Sequence, residues 1–191
     1  MIAYFKWAES NPLVLRKTLT HTGDEKRRAE RELGSQVSKL EPGTAYSVND
    51  LIFRMIAYDD AAAYALLRAH LPPGRLEKIY SDLSADYNPR KQDEFLSLKA
   101  LAAFYRVLYN ASYLSEEMSE KALRYLSKAI SQSGMASVIP SGIDIAAKLG
   151  ERTGSPAAEN TPRSCVSCTN SGSFIILTAL SPRGHGARNR C

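Results

Sequence analysis

Cysteine is missing from the first 164 residues; Cys165, Cys168 and Cys191 all fall near the C-terminus. A disulfide framework therefore does not hold the body of the chain together. Cys165-x-x-Cys168 has the spacing of a redox pair or half a zinc site. No second Cys/His pair stands at a suitable spacing and no strand-to-helix context surrounds it, so neither a metal nor a cofactor is expected. Long apolar runs are also lacking: none approaches the roughly 20 residues that span a bilayer. Met1 to Ala8 is apolar and aromatic but has no basic lead-in, long apolar stretch or cleavage site, so it does not read as a signal peptide, and the chain as written is expected to be cytoplasmic. A concentrated basic surface is absent too. Of the net charge of +5, residues 152–191 supply +4, through Arg152, Arg163, Arg183, Arg188 and Arg190 against Glu159. No basic stripe marks a helix, which argues against a nucleic-acid partner. Histidine is scarce. His70, before Leu71-Pro72, reads as a helix C-terminal residue favoured by the dipole. His21 and His185 lie in polar segments expected to be mobile, with no metal set converging on them.

What is present suits a single helical domain. The 191 residues are 44% hydrophobic and 24% charged, enough for one real core. Residues 1–10 read as helix, with Ile2, Phe5 and Trp7 as apolar surface, broken at Asn11-Pro12. Residues 20–40 read as charged loop with a short helical piece, and Glu41-Pro42-Gly43 as a turn. Ser47 has the position of an N-cap with Asp50 three residues on. Val48, Leu51, Ile52, Met55 and Ile56 then share one helix face. A further helix is expected over Ala61 to Leu71, stopped by Pro72-Pro73-Gly74, and a short one over Arg75 to Leu83. Ser97 is placed to cap a helix bearing Leu98, Leu101, Tyr105, Leu108 and Tyr109. Ser115 is placed to cap another, with Glu116 and Glu117 in its first turn and Met118, Ala122, Tyr125 and Ala129 on one face; Gly134 ends it. The stripe Tyr105, Tyr109, Tyr113 and Tyr125 reads as core. Ile143 to Ala147 and Phe174 to Leu180 are the strand candidates. The second lies in a tail otherwise rich in Ser, Thr, Gly, Pro and Asn, ending in Ser181 to Cys191, which is expected to be disordered.

Three stretches carry a resemblance: Tyr46–Ala61 (YSVNDLIFRMIAYDDA), Arg106–Ser115 (RVLYNASYLS) and Ile139–Glu151 (IPSGIDIAAKLGE). In this order and spacing they resemble the class A β-lactamases and related penicillin-recognising serine hydrolases. The resemblance covers about residues 1–154. It implies a mainly α chain: the helical subdomain of the α+β β-lactamase-like fold, with one or two residual strands. It divides the chain into a partial catalytic domain, residues 1–152, and a low-order tail, residues 153–191. The parent activity it implies is β-lactam hydrolysis, or acyl transfer on peptidoglycan-like peptides, through an acyl-serine and outside the cytoplasm.

Such chemistry needs a serine and a lysine one helical turn apart, so that the amine helps deprotonate the nucleophile on the same face. A second serine, in Ser-Asp-Asn, passes a proton to the leaving nitrogen. A Lys-Thr-Gly strand offers positive charge to the substrate carboxylate, and backbone N–H groups hold the oxyanion. Here no serine stands three positions before any lysine. The resemblance places that motif just before Met1, so no catalysis is expected from this chain alone. Asp59-Asp60-Ala61 occupies the Ser-Asp-Asn positions: Asp60 matches, Asp59 is no hydroxyl relay while ionised, and Ala61 lacks the amide. Lys148 and Gly150 match Lys-Thr-Gly, with Leu149 in place of the hydroxyl residue. Asp59, Asp60 and Lys148 are the catalytic candidates by resemblance; Lys148 and Gly150 are those for substrate binding. Asp59-Asp60 fits an N-capping pair equally well, and Lys148 a solvated strand-end lysine. The deacylating glutamate is not identified; Glu77 and Glu94 lie in the right region without a motif.

The tail reads as out of frame. Arg163–Thr169 can be encoded so that the shifted frame gives Glu-Leu-Arg-Glu-Leu-His. Ser173–Leu180 likewise allows Val-Tyr-Tyr-Pro-Asp-Arg-Pro, and both strings resemble the next strands of the family. A lone strand at Lys148 has no ladder partner and an edge that invites aggregation, so a partly helical, marginally stable product is expected. A non-catalytic helical module that binds a partner chain through its apolar faces is the alternative of another class.

Overall fold

The computed structural model describes residues 1–24, 40–83, 98–129, 144–150 and 174–180. The expectations for Ser97, Gly134, the helical piece after residue 24, Glu94, Cys165, Cys168, His185 and Ser181–Cys191 lie outside the described residues.

Helix α1 runs Ile2–Ser10 and stops at Asn11, where Pro12 opens a 3-10 turn, Pro12–Leu15. Proline suits that first position because its missing N–H would have had no partner there. Strand β1 (Thr18–Thr20) pairs antiparallel with β2 (Ala45–Ser47) in the register Thr18↔Ser47, Leu19↔Tyr46, Thr20↔Ala45. Neither strand is expected from the sequence, since three residues give too short a pattern to register. The alternation is nonetheless present: Leu19 and His21 are buried while Thr18 and Thr20 are exposed. His21 is thus not in a mobile polar segment. Its backbone N–H donates to Thr44 O at 3.0 Å, its carbonyl accepts from Gly43 N at 2.7 Å, and its ring is fully buried. Gly43 makes that return with φ +81, a value that favours glycine.

Helix α2 (Val48–Ala57) begins where Ser47 Oγ accepts Asp50 N–H at 3.0 Å. Its stripe faces inward as expected: Val48, Leu51 and Ile52 are buried, and Met55 and Ile56 pack on the core partly covered. Helix α3 (Ala61–His70) ends at Leu71, which is extended because Pro72 follows it. His70 Nδ1 lies 2.9 Å from Leu66 O in the last turn. Helix α4 is Arg75–Asp82 and α5 is Leu98–Tyr109. Helix α6 (Glu116–Leu126) is capped by Ser115 Oγ, which accepts Met118 N–H at 3.4 Å. Of the tyrosine stripe, Tyr105 is buried, Tyr113 and Tyr125 pack partly covered against the core, and Tyr109 is exposed.

Strands β3 (Asp144–Gly150) and β4 (Phe174–Leu180) form a second antiparallel sheet, with Lys148 opposite Ile176 and Gly150 opposite Phe174. β3 therefore has a ladder partner along its whole length, and it runs on through Lys148 rather than ending at Ala147.

One core joins these pieces. Phe5, Leu51, Ile52, Leu66 and Val48 are its most deeply buried large side chains, and Ala146 brings β3 into the same cluster. α2 and α3 form a helical hairpin, α6 packs on α1, α2, α5 and β3, and α5 packs on β4. The architecture is mainly α, as the resemblance implies, with two two-stranded sheets among the described residues.

A polar tie crosses this core: Tyr4 Oη donates to Leu67 O at 2.8 Å between α1 and α3. Burial pushes the Tyr4 phenol up to about 12. Tyr4→Phe leaves that buried carbonyl without its donor and is expected to cost about 1 kcal/mol. Urea unfolding should show a lower midpoint at unchanged slope; an unchanged midpoint would mean the carbonyl loses nothing.

Candidate functional site

The loop between α2 and α3 is built by two aspartates with different duties. Tyr58 N and Asp60 N both return to Arg54 O, at 3.0 and 3.3 Å, so the chain leaves α2 in a tight wrap. Asp59 completes the turn with φ +53, a left-handed conformation that costs an ordinary side chain about 1–2 kcal/mol and that aspartate tolerates better than most. Asp60 then turns inward. Its Oδ1 accepts from Ala62 N and Ala63 N, both at 3.0 Å, and the residue is 4% exposed. Asp60 is therefore the N-cap of α3, as the capping alternative holds. Ala61 is the first helical residue and is buried with Ala65 in a small pair beside the main core.

Aromatic rings brace the loop from behind. Phe53 meets Tyr58 edge-on at 5.5 Å and Tyr125 of α6 edge-on at 5.2 Å. Tyr125 Oη donates to Asn49 Oδ1 at 2.8 Å, tying α6 to α2. Burial raises the Tyr125 phenol. α6 also packs on β3, so one helix supports both the Asp59–Asp60 turn and the strand that carries Lys148, Leu149 and Gly150. Lys148 and Gly150 take part in the β3–β4 ladder. Phe53 and Asn49 had no place in the sequence reading. The available signal was that Phe53 is apolar yet lies off the stripe defined by Val48, Leu51 and Ile52, which implies a second packed face.

A groove of about 1140 Å³ opens elsewhere, lined among others by Leu13, Arg16, Asn49, Glu117, Met118 and Lys121. None of Asp59, Asp60, Lys148 and Gly150 lines it. It lies at the start of α2 whereas Asp59 follows the end, a separation of about 15 Å along a ten-residue helix. Burial lowers the Lys121 ammonium at its wall. Among the described residues no group of three or more His, Cys, Asp or Glu side chains is placed to hold a metal ion, and no helix is long and apolar enough to cross a membrane.

The model of the Beta-lactamase enzyme family matches residues 1–158. The chain belongs to the beta-lactamase enzyme family. Solved structures agree on the fold. A PBP-A variant caught as an acyl-enzyme complex with penicillin G is similar with a TM-score of 0.64 at 17% identity, over 78% of this chain and 58% of that one. A β-lactamase from Francisella tularensis gives 0.63 at 17% identity, over 78% and 61%. One from Sphaerobacter thermophilus gives 0.65 at 18% identity, over 78% and 60%. The chain thus spans about three fifths of the length of the solved structures it resembles. No curated protein matches it.

Proposed function

We propose that residues 1–152 supply the helical part of a β-lactamase-type serine hydrolase site, with Asp60 and Lys148 as its retained members, and that this chain does not itself form an acyl-serine. Its small-molecule partner is of the β-lactam or peptidoglycan-peptide class. The observation that carries this reading is the Asp60 cap. A buried carboxylate whose one oxygen accepts from two backbone N–H groups holds the turn in one conformation. A scaffold of this kind positions chemistry rather than performing it. By the resemblance, Lys148 is assigned the cation for a substrate carboxylate, on a strand that packs against the same helix α6 as the α2 end of the turn. Asp59, Ala61 and Leu149 depart from the hydroxyl and amide groups that acyl transfer needs at those positions.

A fluorescent penicillin tests the reading. The purified chain is expected to show no covalent label after denaturing electrophoresis. Covalent labelling would overturn the absence of a nucleophile. The chain is also expected to show weak, saturable binding that Lys148→Ala reduces several-fold. Complete indifference to the penicillin would favour a non-catalytic module.

A further inference from the structure

The groove of about 1140 Å³ beside the start of α2 has donors on its walls that the fold does not use. Ser47 and Ser115, the N-caps of α2 and α6, both line it, so the positive ends of two helices of ten and eleven residues meet there. Lys121 stands four residues after Glu117, the order and spacing at which a glutamate and a lysine ordinarily pair along a helix. Here they do not. Among the described residues the Lys121 side chain makes no hydrogen bond or ion pair, and its Nζ lies instead over the rings of Phe5, at 5.8 Å, and Tyr125, at 6.0 Å. The side chain is half-buried, and that burial lowers its ammonium. The hydroxyl of the same Tyr125 donates to Asn49 Oδ1 at 2.8 Å. The oxygen end of that amide is therefore taken, and its N–H2 end is left to donate. Glu9, also on the wall, is already engaged: its two oxygens accept from Lys6 Nζ and Ser115 N. Pro12 and Leu13 form an apolar lip, and Leu13 is 69% exposed.

We infer that this groove binds a small monocarboxylate with an apolar body, its carboxylate held by Lys121 and the Asn49 amide and its body laid on Leu13, Pro12 and Met118. The charges select the sign. Arg16 and Lys121 are cations on the wall without an ion pair among the described residues, and the two helix ends add to them; Glu117 is the one wall acid not already engaged. A single negative charge fits that balance, whereas a phosphate dianion would bring a second one against Glu117. A carboxylate also suits the donors, because its two oxygens can accept from the ammonium and the amide at once. An ammonium drawn partly out of water without a partner gains more from an anion than an exposed one does. The apolar lip then sets the rest of the ligand, since covering Leu13 and Met118 removes hydrocarbon from water. None of these residues belongs to the Asp59–Asp60 turn or to β3, so binding here is separate from the acyl-transfer chemistry proposed above.

Methionine-methyl nuclear magnetic resonance of the full chain tests this. The chain has 4 methionines, Met1, Met55, Met118 and Met135, and of these Met118 lines the groove. The probes are 4-phenylbutyrate and its primary amide, which has the same apolar body without the charge. Neither holds a lactam ring, so the result does not depend on how the chain treats penicillin. The acid is expected to shift the Met118 methyl saturably with a dissociation constant of about 1 mM, as suits so small a ligand, and to leave Met55 unmoved. The amide should bind about ten-fold more weakly, the loss of one charge-assisted hydrogen bond. Lys121→Leu keeps Phe5 and Tyr125 covered while removing the charge, and should bring acid and amide to equal affinity. Equal binding of acid and amide by the unaltered chain, a Met118 methyl that ignores the acid, or a preference for the acid that survives in Lys121→Leu would each overturn the proposal. The first two comparisons need no variant, so they hold even if Lys121→Leu fails to fold.

Discussion

Phe5→Ala should destabilise the chain by about 3–5 kcal/mol, the range for deleting a buried aromatic side chain. Phe5 is fully buried in α1 and its ring lies 6.0 Å from that of Tyr125 in α6, which in turn meets Phe53 of α2. Removing it opens a cavity where three helices meet, and none of them can relax inward without moving the others. Against a total stability of roughly 5–15 kcal/mol, such a loss consumes a large share. Phe5→Leu keeps most of the volume and should cost under about 1.5 kcal/mol. Denaturant unfolding followed by circular dichroism checks both. Equal midpoints for the two variants would mean that α1 does not pack on α6 as described.

The helices were legible because their signals are local. Ser47 and Ser115 sit where a hydroxyl can accept an N–H three residues on, and both do. The apolar spacing from Val48 to Ile56 needs only its own helix to make sense. Pro72 stops α3 through the conformation it forces on Leu71. What escaped is what depends on distant partners. β1 and β2 are three residues each, too short for periodicity, and exist because they meet. His21 looked mobile because its neighbours are polar, yet it continues the inward side of β1 begun by Leu19. The pairing of β3 with β4 spans a long polar stretch of sequence, so it leaves no local signal. For the candidate site, the sequence found the segment Asp59-Asp60 and left two readings of it open. Geometry assigned the cap to Asp60 and the left-handed turn to Asp59. The brace of Phe53, Tyr125 and Asn49 behind that turn was not legible, since an aromatic off the main stripe declares a second face without naming what covers it.

Asp60→Ala should cost about 2 kcal/mol, at the upper end for an N-cap, because the carboxylate accepts from two backbone N–H groups in a nearly water-free position. Asp60→Asn is the informative partner. The amide keeps an oxygen in the Oδ1 position and can still accept from Ala62 N and Ala63 N, so a purely capping role predicts recovery to within about 0.5 kcal/mol, caps of the two residues being nearly equal. The negative charge of aspartate adds a favourable interaction with the N-terminal dipole of α3, worth about 0.3–1 kcal/mol, which the amide forfeits. The expected order is therefore wild type, then Asn slightly below, then Ala well below, in urea midpoints at neutral pH. The difference between Asp and Asn should shrink with added salt, since it is charge–dipole in origin. The difference between Asn and Ala should not, since it is hydrogen bonding. Should Asn prove as damaging as Ala, the buried charge itself would be what the fold requires at residue 60, and the turn at Asp59 would owe its shape to electrostatics rather than to the cap.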